Sequence, residues 1–422
     1  MEEWKEYKLG EVAQIQTGPF GSQLHQSDYV DDGVPCIMPT NIGKNLDIIS
    51  DGIVHISEND AQRLSRHIVN AGDIIYARRG DIEKCAYIKE QQNGWFCGTG
   101  CLRIRINKDA DSHFIAYQLS TAEAKSWIVG NAVGTTMLNL NSSILSDLPI
   151  LLPSLSTQRH ITAILKSFDD KIEVNRRIND NLEQQAQALF KSWFVDFEPF
   201  RDQPFVESEL GMIPEGWRVG NFMDYINVMP GGTPSTSVAE YWENGTIPFF
   251  SPKDVHGVYC FDTEKHITEY GLDHCASKLY PKDTLFITAR GTVGKIALAA
   301  VPMAMNQSNY ALVAKGETGK YYLYLLTQTL VSLLLKKANG AVFSAITTKD
   351  LNEKVVFPPN GVISRFEDII KPMFDKLHSL TLESRCLASL RDTLLPRLMS
   401  GELKVNDMKS IAILPKFTKY PK

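Results

Sequence analysis

Two short basic turns carry the residues best suited to chemistry in this 422-residue sequence: Arg78-Arg79-Gly80 with Lys84 close behind, and Arg290-Gly291 with Lys295. An arginine's planar fork takes guanine O6 and N7 in a major groove or clamps a phosphate, and lysine supplies a point charge to the same anions. Each turn follows a run of alternating β-branched and aromatic residues, read as a half-buried strand. The Gly18-Pro19-Phe20-Gly21-Ser22-Gln23 loop and its counterpart Gly231-Gly232-Thr233-Pro234-Ser235 add backbone N–H groups and small hydroxyls suited to phosphate. Gly18, Phe20, Ser22, Gly232 and Thr233 therefore join the candidates for DNA contact. Asn41, Lys253, Gln307, Ser308 and Asn309 have side chains suited to base edges. The bland reading of any one of these is a plain turn or a solvated salt bridge. A basic turn that occurs twice weighs against it.

No catalytic or metal constellation accompanies them. Asp169-Asp170-Lys171 resembles the tail of a nuclease motif but lacks an upstream acidic partner on a strand, and it lies on a heptad-patterned helix. Arg290-Gly291-Thr292-Val293-Gly294-Lys295-Ile296 has neither the spacing nor the hydroxyl of a phosphate-binding P-loop, and Gly98-Thr99-Gly100 is too short for a dinucleotide fingerprint. Cys97 and Cys101 with His113 do not have zinc-finger spacing. An Asn/Asp-Pro-Pro-aromatic methyltransferase motif is absent from the sequence.

The elements that hold the turns are written twice. Trp4 and Ile15-Gln16-Thr17-Gly18-Pro19 match Trp217 and Val228 to Pro234, an offset of 217 − 4 = 213. Val34-Pro35-Cys36-Ile37 answers Ile247-Pro248-Phe249-Phe250, and Thr40-Asn41-Ile42 answers Lys253-Asp254-Val255. Gly72 to Gly80 matches Lys282 to Gly291, and Leu148 to Pro153 matches Lys354 to Pro359. Two similar α+β domains are the economical explanation.

After each copy comes a stretch of four-and-three apolar steps. The first runs Ile161, Leu165, Phe168, Ile172, Asn175, Asn179, Leu182, Ala186, Leu189 and Trp193. The second runs Phe366, Ile370, Met373, Leu377, Leu380, Ser384, Leu387, Arg391, Leu394 and Leu398. Such spacing predicts two helices that pair as a coiled coil, antiparallel if the halves are related by a pseudo-twofold. Asn175 and Asn179 then sit on the seam, unless Ile178 takes that position. Residues 161 to 193 (193 − 161 + 1 = 33) make about 50 Å of helix, a spacer for two readers up to about 15 base pairs apart.

Composition fits a soluble globular protein of two domains, with 43% hydrophobic and 22% charged residues. Seven scattered cysteines suit reduced thiols, and the Met1-Glu2-Glu3-Trp4-Lys5 start lacks a basic and apolar leader, so a cytoplasmic protein is expected. Tyr321 to Leu335 is too short and too often interrupted for a membrane span and reads as a buried helix. The net charge of −5 argues against a uniformly basic nucleic-acid binder. It leaves room for a bipolar molecule whose partners supply phosphate contacts.

The phrase Leu152-Pro153-Ser154-Leu155-Ser156-Thr157-Gln158-Arg159-His160-Ile161, through Phe168-Asp169 and Ile172, resembles the central conserved region of type I restriction-modification specificity subunits. Leu390-Arg391-Asp392-Thr393-Leu394-Leu395-Pro396-Arg397-Leu398-Met399-Ser400-Gly401-Glu402-Leu403 is similar to that family's C-terminal conserved phrase. Thr157 stands where the family usually has a Glu. The resemblance implies a non-catalytic reader of an asymmetric bipartite site in double-stranded DNA. It implies two methyltransferase subunits and restriction/translocase subunits as partners, with S-adenosylmethionine, ATP and Mg2+ used by those partners and no cofactor in this chain. The expected layout is a first target-recognition domain over 1–153, a spacer helix over 154–200 and a linker over 201–216. A second recognition domain over 217–358, a second spacer helix over 359–404 and a tail over 405–422 complete it. The competing readings are a protein-binding scaffold and a DNA enzyme with an unrecognised site.

Overall fold

In the computed structural model, residues 4–107, 110–134, 138–316, 318–337 and 345–404 are described. The chain divides into two compact units, residues 1–172 with 386–422 and residues 173–385. Each contains one copy of the repeat.

In the first unit, strands Ala13–Thr17, Cys101–Ile106, Ile74–Ala77 and Cys85–Tyr87 form an antiparallel sheet in that spatial order. A second sheet orders Tyr29–Val30, Val54–Ile56, Val34–Ile37 and Phe96–Cys97, the last pair parallel. Lys5–Lys8 pairs with Pro149–Leu152 and closes the domain. The second unit repeats this plan. Ile226–Pro230, Asn309–Ala314, Leu285–Thr288 and Ile296–Ala299 stand in the same order, with Tyr259–Cys260 added in parallel at the edge. Ile247–Phe250 again has a parallel neighbour, Ala304–Met305, and Arg218–Asn221 pairs with Lys354–Phe357.

The ladder registers repeat too. Thr17 faces Leu102 where Pro230 faces Tyr310, and Ile74 faces Ile104 where Leu285 faces Leu312. The offsets are 230 − 17 = 213 on the outer strand, 310 − 102 = 208 on its neighbour and 285 − 74 = 211 on the third. A one-residue slip would turn every side chain to the other face, so equal register means equal faces.

Ile74–Ala77 and Leu285–Thr288 are buried along their whole length rather than on one face. In the first unit Ile74 and Tyr76 pack with Phe114 and Tyr117 of helix Ser112–Leu119, while Ile75 and Ala77 pack with Ile37 and Cys97 of the second sheet. A strand covered on both sides is apolar throughout, which explains the departure from a half-buried strand. Tyr321 to Leu335 lies in a buried helix, Lys320–Lys337, and among the described residues no helix is long and apolar enough to cross a membrane.

Two 40-residue helices, Leu155–Phe194 and Asn360–Met399, carry the heptads. In the first unit Ile161 and Leu165 share a cluster with Leu398. In the second, Asn175 Nδ2 donates to Ser384 Oγ at 3.2 Å and Asn179 Nδ2 to Thr381 Oγ1 at 3.2 Å. Partners fall in number as the first helix advances, so the helices pair antiparallel within each unit. Ile178 is 37% exposed and Asn175 fully buried, which gives the seam to the asparagines. The expected linker over 201–216 contains a hairpin, Phe205–Ser208 with Gly211–Pro214. The expected tail over 405–422 lies outside the described residues.

Candidate functional site

One end of the first domain's main sheet gathers the predicted segments. Gly18 follows strand Ala13–Thr17 and its N–H donates to Cys101 O at 2.9 Å, while the Arg78 N–H donates to Gly100 O at 2.8 Å. The basic turn is closed by Ala77 N–H to Lys84 O at 2.9 Å, and in the second domain by Thr288 N–H to Lys295 O at 2.8 Å. Gly80 and Gly291 have φ of 76° and 80°, left-handed values that glycine adopts without strain. Arg79 forms an isolated bridge with Asn139, as Arg290 does with Ala345. The third-strand offset of 211 therefore makes Arg290 the equivalent of Arg79, and Lys295 that of Lys84. Arg78 corresponds to Ala289, which is buried.

Arg79, Arg290 and Lys295 are exposed, and among the described residues none of their side chains has an ion pair or hydrogen bond. Lys84 lies 3.2 Å from Asp81 across the turn, with both side chains largely open to water. Arg78 is half-buried, with its guanidinium 5.6 Å from the centre of the Phe20 ring and its Nε without a partner. Burial, then the adjacent Arg79 charge, draws its pKa down. Asn139 Oδ1, on a segment that flanks Arg78, is likewise buried without a partner, while the Thr99 hydroxyl on the other side is turned to Tyr29. Two unmet polar atoms, Arg78 Nε and Asn139 Oδ1, at one surface turn are a feature of a site whose partner comes from outside.

The glycines act differently from the expectation. A Cβ on Gly18 would lie 2.1 Å from Gly98 O, and one on Gly231 2.0 Å from Asn306 O. A Cβ on Gly232 would lie 2.6 Å from the Ala276 nitrogen. Gly18 and Gly232 are buried and seat the loop roots on their own domains instead of facing a ligand. Phe20 and Ser22, further along the first loop, are exposed.

Asn41 and Asn309 also depart from the expectation of base reading. Asn41 Oδ1 accepts from Met38 N–H at 2.9 Å and its Nδ2 donates to Ile49 O at 3.1 Å, holding a short 3-10 turn. Asn309 is fully buried, with Nδ2 donating to Asn306 Oδ1 at 2.6 Å. Polar loop residues are as often caps as ligands. Thr233 Oγ1 contacts Gln307 Oε1 at the corresponding edge of the second domain, and the amide N–H of Ala289 donates to Ser308 O at 2.8 Å. Lys253 projects into solvent 3.7 Å from Glu264.

The sequence reading passed over a second cluster. Arg391, on the second long helix, donates through Nη1 to Asp169 Oδ1 at 2.5 Å, through Nη2 to Asn45 Oδ1 at 2.8 Å and through Nε to Asp392 Oδ1 at 2.9 Å. Tyr117 donates its hydroxyl to Asp169. His113 is stacked between Tyr87 and Tyr117 at 4.1 and 4.8 Å. Asn45 and Leu46 hold φ of 59° and 62°, and Leu46 O accepts from Tyr87 N–H at 2.9 Å, completing a closed circuit. The circuit borders a cleft of about 590 Å3 whose rim carries Lys44, Lys84 and Lys125. Asp169, the first of the two carboxylates in a nuclease-like phrase, is thus engaged in tying the first domain to both helices. The left-handed Asn45-Leu46 pair was the signal available only in three dimensions.

A model of the type I restriction modification DNA specificity domain matches residues 1–184 and 214–366. The chain is 28% identical over 415 residues to the type I restriction enzyme MjaIX specificity subunit of Methanocaldococcus jannaschii, covering 96% of this chain and 95% of that one. It is 24% identical over 472 residues to the HindI specificity subunit of Haemophilus influenzae, covering 96% and 100%. The crystal structure of a type I restriction-modification S subunit from M. genitalium has the same fold, with a TM-score of 0.55 at 18% identity over 94% of this chain and 96% of that one.

Proposed function

Because the chain belongs to the type I restriction modification DNA specificity family, we propose that it is the sequence-reading subunit of a type I restriction-modification assembly. Each recognition domain takes one half of an asymmetric bipartite site in double-stranded DNA. The observation that carries this reading is the basic turn presented twice in one strand register, by Arg79 and Lys84 in one unit and Arg290 and Lys295 in the other. Arginine and lysine are suited to phosphate and base acceptors, and among the described residues only Lys84 of these four has an acidic neighbour, Asp81. Arg78, Phe20 and Ser22 extend the surface in the first domain, and Thr233, Gln307 and Lys253 extend it in the second.

The chain is a recognition subunit and not itself an enzyme. Two methyltransferase subunits supply adenine methylation with S-adenosylmethionine, and restriction/translocase subunits supply Mg2+- and ATP-dependent cleavage, all within the cytoplasm. Residues 1–153 and 217–358 are the two readers.

The test is a genome-wide map of methylated adenines in cells expressing this chain with its methyltransferase partner, against the methyltransferase alone. Methylation at a bipartite motif with an unread gap, seen only when this chain is present, is the expected result. Identical maps from the two strains, with a stable complex formed, would mean a protein scaffold instead.

A further inference from the structure

Phe20 has no structural reason to face water. It is 53% exposed at the tip of a turn whose root is fixed by the Gly18 seat and by the buried Pro19. The turn is closed on itself, with Phe20 O accepting from Gln23 N–H at 2.8 Å and from Leu24 N–H at 3.3 Å. Arg78 lies against the ring with a buried Nε that meets no acceptor, and its N–H donates to Gly100 O, next to Thr99, at 2.8 Å. An apolar ring and a cation are held together on this edge of the domain, with Thr99 on the adjoining segment.

At the corresponding places the second domain has Thr233, Ala289 and Gln307, by the offsets of 213, 211 and 208 already given. All three members of the group change together although the ladders beneath are in the same register. We propose, resting on the reading of the chain as a DNA specificity subunit, that Phe20 is a wedge that enters a base-pair step of the first half-site. Arg78 follows it to a base or phosphate acceptor, and the second domain reads an undistorted duplex. Apolar side chains inserted between base pairs unstack a step and bend the helix, which makes a flexible pyrimidine–purine step the preferred target.

The test uses the assembled complex of this chain with its methyltransferase partner on duplexes carrying its mapped motif. 2-Aminopurine is placed in turn at each position of both half-sites other than the methylated adenine. Expected is a rise in fluorescence at one step of the first half-site, and none in the second. Phe20→Ala abolishes the rise and weakens specific binding on the order of 10- to 100-fold, while Phe20→Leu keeps part of both. A flat signal throughout, or a rise that survives Phe20→Ala, would overturn the wedge while leaving specific binding intact. Failure of the unsubstituted complex to prefer the motif would overturn the underlying reading, and the wedge with it.

Discussion

The two recognition domains share a backbone plan and differ in what they bury and what they present. Strand Cys101–Ile106 of the first carries Arg103 and Arg105, and the same ladder positions in the second hold Ala311 and Val313. Arg103 is 5% exposed and donates to Arg66 O at 2.7 Å, Ile68 O at 3.0 Å and Gln16 Oε1 at 2.7 Å, while Arg105 pairs with Asp73 at 2.6 Å. The attachment to the helices differs in kind as well. The first unit uses the Arg391–Asp169 ion pair within a polar circuit. The second uses rings: Phe194 lies 4.9 Å from Tyr322 and 4.8 Å from Phe366, and Tyr321 stacks on Phe374 at 4.3 Å. A strand register is thus indifferent to whether ions or rings finish its core, and two domains of one plan are free to diverge in both.

The largest expected effects break these attachments one unit at a time. Phe366→Ala removes a fully buried ring from the second unit and costs roughly 3–5 kcal/mol. Arg391→Met removes a side chain only 7% exposed and leaves Asp169 with the Tyr117 hydroxyl as its remaining partner in the circuit. Breaking a buried pair from one side costs about 3 kcal/mol, and about 6–12 °C for a unit of this size. Hydrogen exchange should show loss of protection in the second unit for Phe366→Ala and in the first for Arg391→Met. Arg391→Lys should not restore it, because one ammonium cannot meet Asp169, Asn45 and Asp392 at once. An Arg391→Met chain as protected as the parent would show that the circuit contributes nothing to the attachment.

The heptads were legible because a 4-3 pattern held over ten positions depends on little besides the residues on it. The duplication was legible for a similar reason, and its strand equivalences hold in the ladders. The pairing of Arg290 with Arg79 was legible in the shared Arg-Gly turn, although one extra residue enters the second copy near Asp283, where φ is 68°. Asn41 and Asn309 misled because a sequence does not show whether an amide caps its own turn or faces solvent. The Phe20–Arg78 pair joins residues 78 − 20 = 58 apart, and Arg391 meets Asp169 across 222 positions. No local pattern encodes such contacts. They exist only once the sheet edges and the helices have closed.

A smaller effect separates the domains by pH. His67 and His113, both in the first unit, have pKa values drawn down to about 4, in each case chiefly by burial. Arg66 and Arg103 add to this at His67; at His113 the Asp111 charge opposes it and Lys166 adds to it. An unfolded histidine titrates near 6.5, so each contributes stability above that pH that is lost as the pH falls from about 6.5 to 4, about 2 kcal/mol by pH 5. The second unit has His378 shifted the same way, but burial pushes Glu367 up, which adds stability as the pH falls. The first unit should therefore loosen first on acidification from pH 7 to pH 5, as read by unit-resolved hydrogen exchange. His113→Phe keeps a ring between Tyr87 and Tyr117 and should shrink the difference. Equal loosening of both units, unchanged in the variant, would show that the histidines are not its origin.

The smallest effect concerns the residues the domains share. Two half-sites of different sequence cannot both be specified by one side chain at one place in one register, so what recurs should contact the part of DNA that recurs, the phosphates. Arg79 and Arg290 meet that description, being exposed, unpaired among the described residues and held by equivalent bridges. Arg79→Ala and Arg290→Ala should each weaken binding of the assembled complex by about 1 kcal/mol at moderate salt. Each should lower the slope of log affinity against log salt by about one and leave the methylated motif unchanged. On the proposed reading, the sequence-reading role falls to positions that differ, Phe20 and Arg78 in the first domain and Thr233 and Gln307 in the second. If Arg79→Ala instead relaxes the motif at one base pair of the first half-site with the salt slope intact, Arg79 reads a base. The division between shared positioning residues and divergent specifying residues would then fail in that domain.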